Sequence, residues 1–358
     1  MAIGFPTKAN WAAGDVLTAS AMDDLAGTLN TVSAPLYNAA GKNVIINGAY
    51  DWFQRLPVGS TSVNLVSTAG TFLADRFTIS CTFSAGTATL SQQTFTAGSA
   101  PVSGYEATYF QRLTVGSTST YADWFQKVEN VRTFAGQSVT FSFWAKASVS
   151  TPVTMLLRQN FGSGGSANVD STNAITVSTS WTRYTFSTTL APITGKTIGS
   201  SSYVMAGFYF TGAPASSQTF DTWGWQLEAG STVTGFQTAT GTLQGELAAC
   251  QRYYCRFNAS NNYAPFGVGI STSLTAASIF VKFPVTMRVA PTTSDFSTLV
   301  ISDIGSYNLA ISALVLSNQT TDLTEVGCTN ATGAVAFRSA FIRANNSTNG
   351  YLSFGAEL

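Results

Sequence analysis

Histidine is absent from all 358 residues, and the 17 basic and 17 acidic side chains cancel. The first absence removes histidine general bases, Ser-His-Asp triads and most zinc or iron sites. The second, with no basic block anywhere, removes the electrostatic footprint of a nucleic-acid binder. Charged residues make up only 9% of the chain. Low charge with 45% hydrophobic residues is the reverse of a disordered composition. Long apolar runs are missing too: the longest, Tyr203–Phe210, is strand-sized and holds a glycine, so no membrane insertion is expected. The N-terminus MAIGFPTKANWAAGD has one lysine and no apolar stretch behind it, unlike a secretory signal, which predicts synthesis and folding in a cytoplasm. Cys81, Cys250, Cys255 and Cys328 form no C-x-x-C pair, so neither a zinc knuckle nor a disulfide framework is indicated. Four reduced, buried thiols are expected. The sequons at Asn258, Asn318, Asn330, Asn345 and Asn346 read as chance products of a Ser/Thr/Asn-rich chain.

What remains is a chain with strand signals and little helix. At about 100–200 residues per domain, the length predicts two domains with a small extra piece. Residues 1–41 read as an attachment arm. Met22, Leu25 and Leu29 form the stripe of a short helix capped by Thr18 or Ser20, preceded by Phe5 and Trp11 in a segment too short for its own core. A helix of about a dozen residues is marginal alone, so the stripe must dock on something. Residues 42–241 read as an antiparallel sandwich or jelly roll. Val139–Ala145 and Trp181–Ser187 alternate, Thr151–Arg158 and Tyr203–Phe210 are further strands, and Gly/Ser/Thr/Asn clusters punctuate them. Residues 242–255 predict a connecting helix with Thr242 as N-cap and a seam of Leu243, Leu247, Cys250 and Tyr254, placed equally well in an oligomer contact or on its own domain. Residues 256–358 form a smaller β domain, with strands at Ala277–Phe283, Val335–Ile342 and Tyr351–Leu358. Asp51-Trp52-Phe53-Gln54-Arg55 recurs as Asp123-Trp124-Phe125-Gln126-Lys127. Its plain reading is aromatics packing one face with Gln and Arg outward.

Several motifs occur in a recognisable order: Asn43–Arg55, Ala74-Asp75-Arg76-Phe77, Gln126–Arg132, Ala135–Lys146, Trp181–Thr185, Trp225–Gly230, Glu246–Tyr254, Phe283–Pro291 and Ala356-Glu357-Leu358. Together they resemble bacteriophage and prophage virion fibre proteins carrying a jelly roll similar to the carbohydrate-binding modules of xylanases. The resemblance covers residues 43–358. It implies a virion component that binds host-surface carbohydrate, working as a homotrimer and joined to other phage structural proteins through the N-terminal arm. A head fibre or decoration protein with a mainly structural role is the alternative, and a polysaccharide-degrading tailspike comes third.

Glycan sites use exposed aromatics as platforms, with polar side chains fixing hydroxyls. Trp52, Trp124 and Tyr121, with Gln126 beside them, are the expected cluster because charged or amide side chains adjoin each; Trp181, Trp223, Trp225 and Tyr105 are further candidates. Trp223 and Trp225 straddle Gly224, so on a regular strand they share a face and are buried or presented together. Gly195-Lys196-Thr197 lacks the first glycine of a phosphate loop. Asp170 and Asn168 lack the D-x-D-x-D-G pattern of a calcium loop. A glycosidase needs only two carboxylates, but Asp75, Glu106, Asp123, Glu129, Asp170 and Asp221 are sparse and read as partners of Arg76, Arg112 and Arg132 or as turn residues. No enzyme activity, metal or cofactor is expected.

Overall fold

The computed structural model describes residues 41–358 apart from 57, 66–69, 84–86, 117–118, 212–216 and 304–307, with backbone alone at 83 and 119–121. The expected arm, with Phe5, Trp11, Met22, Leu25 and Leu29, lies outside the described residues.

Two six-stranded antiparallel sheets make a sandwich. One holds, in spatial order, β1 (Ser62–Leu65), β4 (Ala88–Thr94), β5 (Tyr109–Val115), β12 (Thr219–Ala229), β7 (Ser138–Ala147) and β10 (Thr182–Thr189). The other holds β2 (Thr71–Phe72), β3 (Thr78–Phe83), β6 (Ser119–Glu129), β11 (Tyr203–Phe210), β8 (Thr151–Asn160) and β9 (Val169–Val177). Alternation sends Phe141 and Phe143 of β7, Trp124 of β6 and Phe208 of β11 inward, where they close on Trp225 and Phe77. Each buried ring adds about 150–250 Å² to a core whose edge-to-face and stacked pairs hold it in one packing.

The middle of the first sheet is buried on both faces, so β7 is covered at eight of its ten positions although its sequence alternates. Its outer face carries a second aromatic cluster: Trp144, Trp181, Phe95, Tyr105, Phe236 and Trp223. Trp223 belongs here, not with Trp225. The expectation that the two share a face fails because Gly224, at φ +68°, sits in a bulge that shifts the β12–β7 register between Trp223 and Gln226. Both indoles are fully buried, on opposite faces, donating to the Ala49 carbonyl and the Thr222 hydroxyl.

Helix α1 (Leu243–Gln251) starts where expected, with the Thr242 hydroxyl accepting from the Gly245 amide. The predicted seam is wrong in detail: Leu243 is exposed and Tyr254 opens the next strand, while Glu246 and Cys250 are the buried pair. Glu246 tolerates burial because its carboxylate accepts from the Asn47 amide and from the Thr240 amide and hydroxyl. All four cysteines are buried and free, and burial pushes the thiols of Cys81, Cys255 and Cys328 up to about 12.

Beyond the helix, β13 (Tyr254–Asn258), β21 (Tyr351–Gly355) and β16 (Thr293–Ser297) make a three-stranded sheet. A closed barrel runs β14 (Pro265–Ser273), β15 (Ala276–Lys282), β19 (Leu323–Asn330), β18 (Leu309–Ser317), β17 (Leu299–Asp303) and β20 (Ser339–Ala344). Closure needs a strand that can approach its neighbour closely: a side chain at Gly269, on the barrel's inner face, would collide with the Ser278 carbonyl. The predicted strand from Val335 begins only at Ser339, because the chain turns through Phe337 at φ +62°.

The motif residues meet where the sandwich joins the C-terminal part. Arg76, 3% exposed, pairs with Glu357, donates to the Lys127 carbonyl and lies 3.4 Å over the Tyr253 ring. Arg55 also reaches Glu357, at 2.5 Å, while stacking on Tyr254 at 3.8 Å. Lys127 donates to the Leu358 main-chain oxygen, and Arg288 to the carbonyls of Ala356 and Glu357. The repeated pentapeptides thus each deliver a cation to the same C-terminal residues. Their glutamines turn inward, against the expectation. Gln54 bonds Asp75 and the Tyr254 carbonyl, and Gln126 exchanges two hydrogen bonds with Ile46.

Glu357→Ala leaves Arg76 buried without its counter-charge, and about 3 kcal/mol of stability should be lost in urea denaturation. Burial holds the carboxyls of Asp51 and Asp75 up at about 6, with Glu246 adding to Asp51. Their folded pKa values exceed the unfolded ones, so the folded state binds the extra protons and stability falls as pH rises between about 4 and 6. With no histidine to oppose this, the melting temperature should be higher at pH 5 than at pH 7.5, and Asp75→Asn should flatten the difference.

Candidate functional site

The outer face of the second sheet stays open, and its register builds a trough. Three rows cross it: Asp123–Tyr209–Thr154, Phe125–Gly207–Leu156–Thr172 and Lys127–Met205–Arg158–Asp170. Gly207 stands at the centre of the middle row, where a side chain would collide with the Trp124 carbonyl and the Phe125 side chain. The resulting groove holds about 260 Å³. Half-buried Phe125 forms one bank and Leu156 the other, with Tyr209 and Met205 along the trough.

Its polar groups are fixed before any ligand arrives. Arg158 grips Asp170 through two parallel hydrogen bonds of 2.7 and 2.6 Å, and these hold the Asp170 carboxyl below its ordinary value. Asp123 accepts from the Ser80 amide at 3.2 Å. A pair this open to water adds at most about 1 kcal/mol to stability; what it supplies is a planar array of donors and acceptors at a set height above the sheet. An aromatic ring beside a fixed polar array suits a ligand with an apolar face and a hydroxyl-rich edge.

Most of the expected platform lies elsewhere. Trp124 is fully buried against Phe208, because on β6 the even positions point inward and the odd ones outward. Gln126 shares that inward parity and is buried with it. Trp52 is half-buried, and its indole N–H donates to the Leu243 carbonyl, tying the sandwich to α1. The Tyr121 side chain lies outside the described residues. The groove residues that sequence reasoning missed sit one position away: Phe125 beside Trp124, and Tyr209 inside the strand already recognised. Parity of the Asp123–Lys127 segment was the signal, and two tryptophans drew attention from it.

No family model matches the chain. No curated protein matches it either. Among solved structures it is similar to a family 61 carbohydrate-binding module in complex with β-1,4-galactotriose (8% identity, TM-score 0.29, covering 43% of this chain and 88% of that one). It is also similar to a family 11 module from Clostridium thermocellum in complex with a mixed-linked β-1,3-1,4 tetrasaccharide (11%, TM-score 0.28, 49% and 99%). A third is the enzymatically active domain of tailspike protein 4 of bacteriophage CBA120 (14%, TM-score 0.33, 52% and 21%). This chain spans about a fifth of that domain's length. At such TM-scores the overlaps assign nothing to the groove.

Trp124→Ala should cost about 3–5 kcal/mol, as a large core truncation does. Phe125→Ala and Tyr209→Ala, on the outer face, should each cost about 1 kcal/mol or less by the same denaturation measurement.

Proposed function

We propose that this chain is a non-enzymatic glycan-binding component of a phage virion fibre, and that the groove over Gly207 is its sugar site. The observation that carries this reading is the groove itself: Phe125 and Tyr209 beside a trough one glycine wide, with Asp123, Thr172 and the Arg158–Asp170 pair along it. A pyranose would lay its C–H face on the rings and its hydroxyls on the polar array. The resemblance of the motifs supports the phage assignment, with the arm of residues 1–41 meeting other virion proteins and the chain acting as a homotrimer made in the host cytoplasm. Several weak sites held at fixed spacing give the avidity that a single shallow groove lacks.

Catalysis is disfavoured by the state of the acids. A glycosidase sets a raised carboxylic acid beside a second carboxylate at the substrate. In the groove Asp170 is forked to Arg158 and held low and Asp123 accepts from the Ser80 amide, while the carboxyls held near 6, Asp51 and Asp75, are not among the groove's residues. One observation favours a mainly structural role in a head fibre or decoration protein: many of the motif residues, among them Arg55, Asp75, Arg76, Lys127, Glu246, Tyr253 and Glu357, converge on the junction and not on the groove.

Calorimetric titration of the purified chain with a panel of bacterial surface polysaccharides separates these readings. Saturable binding that falls about tenfold or more in Phe125→Ala and Tyr209→Ala, with no reducing ends released, is expected. Binding unaffected by both substitutions moves the sugar site elsewhere. No binding by the folded chain favours the structural role, and reducing-end release the tailspike.

A further inference from the structure

A second cavity opens at the junction, where Arg55 of the sandwich meets the three-stranded sheet. One face of that sheet packs Cys255, Leu352 and Phe354 into the barrel core, and alternation turns the other face outward. Two outward rows are Tyr254–Gly355–Thr293 and Arg256–Ser353–Asp295. Gly355 leaves the first row open down to the backbone, and a side chain there would collide with the Thr293 hydroxyl. The cavity over these rows holds about 390 Å³, more than the groove over Gly207. That volume lies inside the ~300–1,000 Å³ of small-molecule sites.

Its walls are set by partners within the chain. The Arg55 guanidinium lies over the Phe72 and Tyr254 rings, 4.2 and 3.8 Å from their centroids, and is tied to Glu357. The Arg256 guanidinium lies 3.7 Å over Tyr351 and donates to the Asn258 side chain and the Leu56 carbonyl. Tyr351 donates its hydroxyl to Asp295 at 2.7 Å, and the other Asp295 oxygen accepts from the Phe296 amide. Arg256 thus bonds neutral oxygens and Asp295 neutral donors, and among the described residues the two ions form no salt bridge. One cation and one anion line the same cavity, each fixed in place and neither neutralised by the other.

We propose that this cavity is a second saccharide site, taking a neutral pyranose against Tyr254 and Tyr351. Its hydroxyls would meet the Asp295 carboxylate, the Thr293 hydroxyl and the guanidinium groups. Other ligand classes fit the walls less well. An anion finds Arg55 already answered by Glu357 and Arg256 opposed by Asp295, and a cation meets two guanidiniums. An apolar ligand would strip water from Asp295 and Arg256 and return no hydrogen bonds. A polyol carries donors for the carboxylate and acceptors for the guanidiniums on one uncharged ring. Arg55 comes from the sandwich and the other lining residues from the C-terminal part, so the site is complete only when the two are joined. The proposal rests on the glycan-binding reading above but not on the groove.

Calorimetric titration of the full chain with neutral oligosaccharides cut from the polysaccharide panel tests it, with uronic-acid oligosaccharides as charged controls. Two binding events per chain are expected. Asp295→Ala or Thr293→Trp should weaken one about tenfold or more, and the groove substitutions the other. Both positions are exposed, so the variants should keep the fold, which circular dichroism checks. Binding that neither Asp295→Ala nor Thr293→Trp alters overturns the cavity and leaves the groove as the site. Binding that these two alone weaken upholds the cavity and overturns the groove. Tighter binding of the uronic-acid oligosaccharides overturns the neutral assignment, and a folded chain that binds no oligosaccharide overturns this proposal together with the glycan-binding reading.

Discussion

A buried guanidinium decides how the two halves of this protein meet. Arg76 sits on the sandwich at 3% exposure, where an ion is tolerated only if its charge is answered. The answers come from three places far apart in sequence: Glu357, the Lys127 carbonyl and the face of Tyr253. Removing Glu357 leaves a buried charge without its counter-ion. The sandwich therefore carries a group that is satisfied only when the C-terminal residues are docked, and those residues accept further bonds from Lys127 and Arg288. Directional charge pairs of this kind specify orientation where hydrophobic contact alone would permit sliding.

This explains why the motifs are readable in the sequence while the groove is not. Asp75-Arg76, Gln126-Lys127, Arg252-Tyr253-Tyr254 and Ala356-Glu357-Leu358 stand out because each supplies a charged or aromatic partner to one buried constellation, and their residue types are constrained by chemistry. The groove has no such constraint. Phe125, Leu156, Met205 and Tyr209 are ordinary strand residues until the register sets them around Gly207. Which face they occupy is a matter of parity, and a shift of one residue inverts it. Trp124 and Phe125 are both aromatic, both flanked by polar residues, and only one can point outward.

The strands that alternation or apolar runs mark are there, Tyr203–Phe210 matching β11 end to end and Val139–Ala145 lying within β7, while most of the other strands carry no such mark. The failures share one cause, a backbone feature that breaks periodicity without a sequence mark strong enough to place it. Gly224 in its bulge puts two tryptophans on opposite faces, and Phe337 at positive φ ends a strand that its apolar alternation would extend. The burial of Glu246 is a different case. An acidic residue on a helix face reads as solvent-facing until the Asn47 amide and Thr240 are brought to it, and neither lies within five residues of it in sequence.

Under the proposed multivalent reading, a fixed junction also has a functional reason to exist. Linking weak sites raises avidity only while the linkage keeps them at a spacing the target can meet, and a flexible hinge lowers the effective concentration of the second site. Here the groove lies on the sandwich and the barrel beyond the junction, so the Arg76–Glu357 contact helps fix where one sits against the other. Loosening that contact would leave the groove chemically intact while freeing its position relative to the barrel. The buried cation, costly in itself, holds the groove-bearing sandwich in one orientation on the C-terminal part.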